Sequence, residues 1–494
     1  MIRAGRWFGL VALVAAVSAH VGSPNVYFEG TAGPYGVRVI VRAAPVVPGQ
    51  ADITVRVLSG GRPRAVTVLP VYWDPRTAAP PPADTARPIA GDSLLYSAQL
   101  WLMTAGSYAV QVSVTGAAGG GTVNVPVQAV ATRRLEMARG MAWGLGAVAA
   151  FLVIGLVTIA RAAARESTVA PGDVPGARNR RHGWIATGIA TAWIGTGLFL
   201  GRGWWNGVDQ AYARTLYRPT AAHTRVTRDG MLEVRLADPV RDRRWTPLIP
   251  DHGHLMHLFL VQADFNGFAH LHPAPQDSTT FTTALPALPA GRYRVFADLV
   301  HESGFTETVT DTVTVPASRG ASGDPDDGAW LGKGADPSAT SASLADGSSM
   351  TWDREAEPIV AGADAPLRFH VTGPRGQPAR LEPYLGMIGH AVVARSDGGV
   401  FVHLHPMGTI SWTAQETFSL RTLADTLAGS LTRKLAASAA ESREHLMTGD
   451  SVAVLSFPYA FPSPGRYRIW VQVKRNNRVL TFSFTTDVGG AGGR

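Results

Sequence analysis

The sequence predicts a mainly β protein: three immunoglobulin- or cupredoxin-like β-sandwiches, two transmembrane helices, and a helical insertion in the last sandwich. Three observations carry this prediction. Strand-length stretches alternate apolar and polar residues between turns, and 54 Gly and 34 Pro punctuate the chain. Two nearly uncharged stretches near the middle are long enough to cross a hydrocarbon core. The second half also contains an internal repeat.

With 494 residues the chain exceeds what one core can organise, which implies three or four domains of roughly 100 residues. Hydrophobic residues make up 46% and charged residues 17%, a balance suited to membrane spans combined with β-domains. The chain has no cysteine, so any metal must be held by His, Met, carboxylate or backbone groups. The net charge is +8, but the arginines cluster mainly beside the apolar stretches, which speaks against a nucleic-acid partner.

Residues 1–19 read as a signal peptide, with Arg3 and Arg6, the apolar run Trp7 to Val17, and the small-residue cleavage pattern Val17-Ser18-Ala19. An uncleaved anchor is the alternative. Residues 20–132 then form an extracytoplasmic sandwich, with alternation in Val37–Arg42, Ile53–Val57 and Tyr108–Val114. The Pro-rich stretch Ala78–Pro88 reads as a surface loop.

Transmembrane helices are predicted over residues 139–161 and 183–201, joined by a loop over 162–182. Arg161, Arg165, Arg178, Arg180 and Arg181 place that loop in the cytoplasm by the positive-inside bias, so both large flanking regions lie outside. Trp143, Trp184, Trp204 and Trp205 near the span ends read as interfacial anchors.

The repeat covers residues 215–316 and 351–488. His257, His270-Leu271-His272-Pro273 and Gly291-Arg292-Tyr293-Arg294 recur as His390, His403-Leu404-His405-Pro406 and Gly465-Arg466-Tyr467-Arg468. The second copy has a longer connection before its Gly-Arg-Tyr-Arg motif, read as a helical insertion over about 414–449. Residues 317–350, rich in Gly, Ala, Ser and Asp, read as a disordered linker.

In the first copy a hairpin turning at Asp264 and Phe265 sets His257 opposite His272, and period-2 alternation puts His257, His270 and His272 on one face. In the second copy the Ser396-Asp397-Gly398-Gly399 turn sets His390 opposite His405, with His403 one pleat away and Met387 and Met407 flanking. Imidazole suits copper, zinc and nickel, whereas thioether selects copper(I); copper is therefore the first candidate cofactor and zinc the competitor. His252, His254, Met256 and His301 are further candidates, although alternation turns Met256 toward the core. His20 joins the set if cleavage after Ala19 exposes its amine beside its ring. The bland reading is that these histidines form hydrogen bonds that support the fold.

The run Asn25-Val26-Tyr27-Phe28-Glu29-Gly30-Thr31-Ala32-Gly33-Pro34-Tyr35 and the strands after it resemble the FixH/YtkA-like group of exported immunoglobulin-like domains. That resemblance implies cation handling and assembly of copper-containing oxidases. His254–Val261 and Tyr384–His390, each followed by His-Leu-His-Pro, resemble uncharacterised bacterial secreted and membrane proteins.

These readings predict a non-enzymatic copper-handling protein of the bacterial cytoplasmic membrane, with both large regions periplasmic. Its partners would be the membrane and a larger complex or copper-containing oxidase. The alternative is a structural or assembly subunit that docks through its sandwiches. No nucleophile elbow, phosphate loop or zincin helix is present to support an enzyme.

Overall fold

The computed structural model describes residues 20–21, 25–74, 76, 80–237, 247–317, 320–321, 323–332, 336–354, 358–422, 425, 431–435 and 453–490. The expected signal peptide lies outside the described residues, as does most of the expected helical insertion. The chain forms two compact units: Val130–Arg218 is one, and the regions before and after it together form the other.

In the larger unit, the first sandwich pairs a five-stranded sheet with a four-stranded one. Alternation does the sorting: Val37, Val39 and Val41 point inward from the strand Tyr35–Arg42 and meet Ile53, Val55, Val66, Val110, Val112 and Val125 in one core. The second repeat reaches into this sandwich. Ile410 joins its core, and the Glu29 N–H donates to the Met407 carbonyl at 2.9 Å. Gly408 has φ +121 and lies so close to the Tyr27 carbonyl that a Cβ would sit 1.9 Å from it, so the approach requires glycine.

Each repeat is a sandwich of its own. In the first, the sheet Thr306–Val315, Gly291–Val300, His257–Gln262, Gly267–Leu271, Gly328–Leu331 covers a second sheet built on Ala222–Val226, Met231–Leu236 and Thr280–Ala284. Met256, Leu258, Leu260, Ala269 and Leu271 fill the core between them, which places Met256 in the core as the alternation implies. In the second, the strands Val400–Leu404, His390–Arg395, Gly465–Arg475 and Arg478–Val488 cover a sheet formed by Ser341–Ser343, Ser349–Trp352, Leu367–Thr372 and Val454–Phe457.

The hairpin registers match the sequence reading. Leu258 pairs with Leu271 and Ala391 with Leu404; one residue further, His257 faces His272 and His390 faces His405. What the alternation alone does not convey is that the outward faces are also buried. Every residue of His257–Gln262 is buried, because the outer faces of the two sheets pack on one another. Phe259, Val261, Phe265, Phe268, Phe296, Val392, Ala394, Phe401 and Trp470 form the seam. Phe296 stacks on Phe401 at 3.9 Å and Phe268 on Trp470 at 4.6 Å. The repeat alignment equates Phe268 with Phe401 and Phe296 with Trp470, so the two stacks are related by a pseudo-twofold axis.

The expected linker over 317–350 is a correction. Gly328–Leu331 is an edge strand on Gly267–Leu271, and Ser341–Ser343 with Ser349–Trp352 opens the second repeat's inner sheet. Edge pairing uses main-chain hydrogen bonds, so a composition poor in apolar residues does not exclude it. Of the expected insertion, the described parts are α3 (Trp412–Leu420), capped by Ser411, and a helical turn over 431–435. Leu431 and Leu435 pack on Ile249, Val300 and Ala414.

In the smaller unit, α1 (Arg139–Glu166) and α2 (Ala177–Thr215) are long and apolar enough to cross a membrane. Both exceed the spans predicted, because the flanking Ala and Arg residues keep helical propensity beyond the apolar core; the expected 162–182 loop shrinks to residues 167–176. Arg161 lies 3.9 Å over the Trp184 ring, and Arg134 pairs with Asp209 at 2.8 Å.

Phe401→Ala removes one partner of a stack that joins the repeats. It should cost about 3–5 kcal/mol and appear as a lower urea midpoint with unchanged slope. An unchanged midpoint would mean that the repeats do not stabilise one another.

Candidate metal centre

Eight histidines meet where the outer faces of the repeats pack: His252, His254, His257, His270, His272, His390, His403 and His405. Their rings form a continuous cluster, with centroids 5.7 Å apart for His257 and His403, 5.2 Å for His252 and His405, and 4.2 Å for His254 and His272. Three triads have ligand atoms all within 4.8 Å of one another: His257, His270 and His272; His252, His390 and His405; and His254, His272 and Asp324.

Five of these imidazoles are held by an oxygen acceptor on one ring nitrogen. His257 Nε2 donates to the Asp251 carbonyl at 3.1 Å, His270 Nδ1 to Gln472 Oε1 at 2.9 Å, and His272 Nδ1 to Asp327 Oδ1 at 3.0 Å. His403 Nδ1 donates to Asp298 Oδ2 at 3.2 Å and His405 Nδ1 to the Ile410 carbonyl at 2.8 Å. An acceptor on one nitrogen fixes the tautomer and leaves a lone pair on the other, which is how metal-ligating histidines are oriented.

Those other nitrogens are buried. Nε2 of His252, His272, His403 and His405 and both nitrogens of His390 have no hydrogen-bond partner. His257 Nδ1 and His270 Nε2 face one another at 3.2 Å. With the opposite nitrogens of both rings donating to oxygen, this contact brings two lone pairs together, an arrangement that a cation between them makes favourable. The spacing is also close to the edge of a tetrahedral shell with metal–nitrogen bonds of about 2.0–2.1 Å.

The cation is not readily a proton. Burial lowers the His257 pKa, and burial with neighbouring imidazoles drives His270, His272, His390 and His403 well below the ordinary histidine value. Burial takes His252 down to about 3. The same burial pushes the carboxyls of Asp298 up to about 6 and Asp327 up to about 7. These six imidazoles are thus neutral and are backed by carboxyls whose charge a bound cation would favour.

The acceptors exchange across the pseudo-twofold. Asp298 of the first repeat holds His403 of the second, and Gln472 of the second holds His270 of the first. The repeat alignment makes Asp298 equivalent to Gln472 and His270 equivalent to His403. The tight turns before each leading histidine also correspond: His252 and Leu385 have φ +52 and +51, followed by Gly253 and Gly386. Here the copies diverge. Asp251, His252 and His254 in the first stand where Tyr384, Leu385 and Met387 stand in the second. Asp251 also accepts from the Thr413 N–H at 3.1 Å, at the start of α3.

All six repeated histidines fall in the cluster. Met407 does not act as a flanking ligand; its side chain packs against the core of the first sandwich, because the loop after His405 is anchored there. Met387 occupies the turn position of His254 and is bridged to Tyr384. The His20 backbone pairs in parallel with Val400, on the strand that carries His403, while its side chain lies outside what the structure describes. His301 stands apart, 3.0 Å from Glu307, beside a cavity of about 330 Å³. The composition of the 317–350 stretch concealed Asp324 and Asp327; Asp298 and Gln472 were visible only as matching positions after the Gly-Arg-Tyr-Arg motif.

A family model described as "Domain of unknown function (DUF8832)" matches residues 212–317 and 342–490, together more than half of the chain. The chain belongs to this family, and the matched segments are the two sandwiches that build the cluster. No curated protein matches. Among solved structures, a tetra-tandem repeat from the extending region of a large adhesion protein is 10% identical, with 90% of this chain and 71% of that one covered and a TM-score of 0.15. Salmonella alpha-2-macroglobulin reacted with methylamine is 10% identical, with 96% and 24% covered and a TM-score of 0.18. The FN1–FN3 domains of chicken CNTN1 are 8% identical, with 90% and 97% covered and a TM-score of 0.14. Nothing about function follows from similarities at this level.

The metal-free protein should be acid-labile. An unfolded histidine binds a proton near pH 6.5, whereas the six histidines shifted downward resist protonation when folded, so stability is fullest above pH 6.5 and falls as pH drops below it. Asp298 and Asp327, shifted upward, act in the opposite sense but are outnumbered. Urea midpoints measured from pH 8 to pH 5 check this; a midpoint that rises toward pH 5 would contradict it.

Proposed function

We propose that the protein is a membrane-anchored, extracytoplasmic copper-binding protein, and that its copper is resident. The observation that carries the reading is the lone-pair contact between His257 Nδ1 and His270 Nε2 among imidazoles already oriented by oxygen acceptors. A purely fold-supporting cluster would place a donor against an acceptor at this contact, and would leave fewer buried nitrogens unpaired.

Burial favours residence over transfer. His257, His270, His272, His390 and His405 are all at most 5% exposed, whereas passing copper to a partner needs a ligand set the partner can reach. Copper leads zinc because it binds nitrogen sites more tightly than the other divalent first-row metals. The arginines where α1 ends and α2 begins support placing both large regions on the periplasmic side.

The full chain in detergent should bind copper, and the variant with His270, His272, His403 and His405 changed to Ala should lose it while remaining folded. Failure of the folded wild type to bind copper or zinc would overturn the reading. Asp327→Asn tests the supporting shell: it should weaken copper binding by about 10–100-fold. The cysteine-free chain also permits a direct test of topology. Gln50→Cys and Arg478→Cys should react with an impermeant maleimide in intact spheroplasts, and Thr168→Cys only after lysis; the reverse pattern would invert the orientation.

A further inference from the structure

We propose that the centre holds two copper ions in unlike environments, one at His257, His270 and His272 and the other at His390 and His405 with His252 reaching across from the first repeat. The inference rests on the copper reading above and adds the number of ions and the ligand that distinguishes them.

The pseudo-twofold leads to the pair. His257, His270 and His272 correspond one to one with His390, His403 and His405, and the axis that relates the aromatic stacks also relates these triplets. A single ion between the triplets would leave most of the buried lone pairs without a partner. Two ions, one at each group of ligand atoms, use most of them, leaving His403 oriented by Asp298 beside the second ion. The two groups of ligand atoms each fall within 4.8 Å and share no residue. Their rings nevertheless approach closely, at 6.1 Å for His252 and His257 and 6.5 Å for His270 and His390. Ions at the two sites would therefore feel one another's charge in a water-poor interior.

The turns make the two sites unequal. His252 takes its position from a left-handed turn, and its ring lies 5.4 Å from His390 and 5.2 Å from His405. Its Nε2 is buried without a hydrogen-bond partner. The corresponding residue at the other site is Leu385, which offers no ligand. That site instead has the Tyr384 hydroxyl 3.3 Å from His270 Nδ1, and His272 is shared with the His254 and Asp324 group. The second-repeat site thus has His252 from the other repeat as its third imidazole, with the Asp251 carboxylate 3.7 Å from it, and the first has a phenol beside His270. The acidic groups around the two ions differ, Asp251 beside His252 at one and Asp327 behind His272 at the other, so the two coppers differ in potential.

His252→Leu tests this with a substitution the fold already tolerates, since Leu385 occupies the same turn conformation in the other repeat. Full-length protein in detergent is loaded with copper(II), and bound copper is counted by native mass spectrometry and by electron paramagnetic resonance. The wild type should hold two ions whose signal integrates to fewer than two isolated spins, and His252→Leu should hold one ion with an isolated-copper signal. One ion in the wild type, or two in His252→Leu with an unchanged signal, overturns the proposal and leaves the copper reading standing. No bound copper in folded wild type overturns both.

Discussion

The structure depends on one constraint: two β-sheets are buried on both faces. Each repeat already has an inner core, and the outer faces of the histidine-bearing sheets pack through Phe259, Phe268, Phe296, Phe401 and Trp470. Such a seam gains from apolar burial, but it also removes water from every polar group along it. The imidazoles at one end of the strands are the polar groups affected. Their hydrogen-bond partners and tautomers, and the depressed pKa values of six of them, follow from having been placed between two sheets.

The repeats satisfy this constraint reciprocally. Asp298 and Gln472 occupy equivalent strand positions, and each holds a histidine of the opposite repeat. Neither sandwich alone would orient its own His270 or His403 equivalent in this way. The acceptors are not chemically identical, since one is a carboxyl and the other a neutral amide whose Nε2 is fixed on Thr481 Oγ1 at 3.1 Å. The axis therefore relates positions while the chemistry departs from symmetry, most strongly at the Asp251-His252-Gly253-His254 turn.

Much of this was legible in the sequence because period-2 alternation and turn position are local properties. The hairpin register, the common face of His257, His270 and His272, and their repetition all follow from spacing. The contact between repeats was not read, although a signal existed. In His257–Gln262 and His390–Ala394 the apolar residues occupy both alternating faces, the pattern of a sheet covered on both sides. Asp324 and Asp327 were missed for a different reason. Composition reports whether a stretch can build a core of its own, and residues 323–332 instead attach to an existing sheet edge. Met407 shows the converse: its nearness in sequence to His405 suggested a ligand, yet the loop that carries it is pulled away by Gly408 and Ile410 into the first sandwich.

The first sandwich thereby acquires a role in the centre without contributing a ligand. The loop after His405 is pinned at both levels: the Ile410 side chain lies in the first sandwich's core, and its carbonyl accepts from His405 Nδ1 at 2.8 Å. The Thr409 N–H donates to the Tyr27 carbonyl, the Tyr27 N–H to Thr409 Oγ1, and the Glu29 N–H to the Met407 carbonyl. Rotation of the His405 ring would have to break that hydrogen bond or withdraw an isoleucine from a packed core, and the second is costly where interiors are close-packed. On the other side, the start of α3 fixes Asp251, whose carbonyl holds His257 and whose carboxylate faces His252. The insertion and the amino-terminal sandwich, which look like separate additions in the sequence, thus act on the same imidazoles from opposite directions. A site held rigid in this way is suited to keeping its ligands aimed at one place, which is what a resident metal requires and a metal in transit does not.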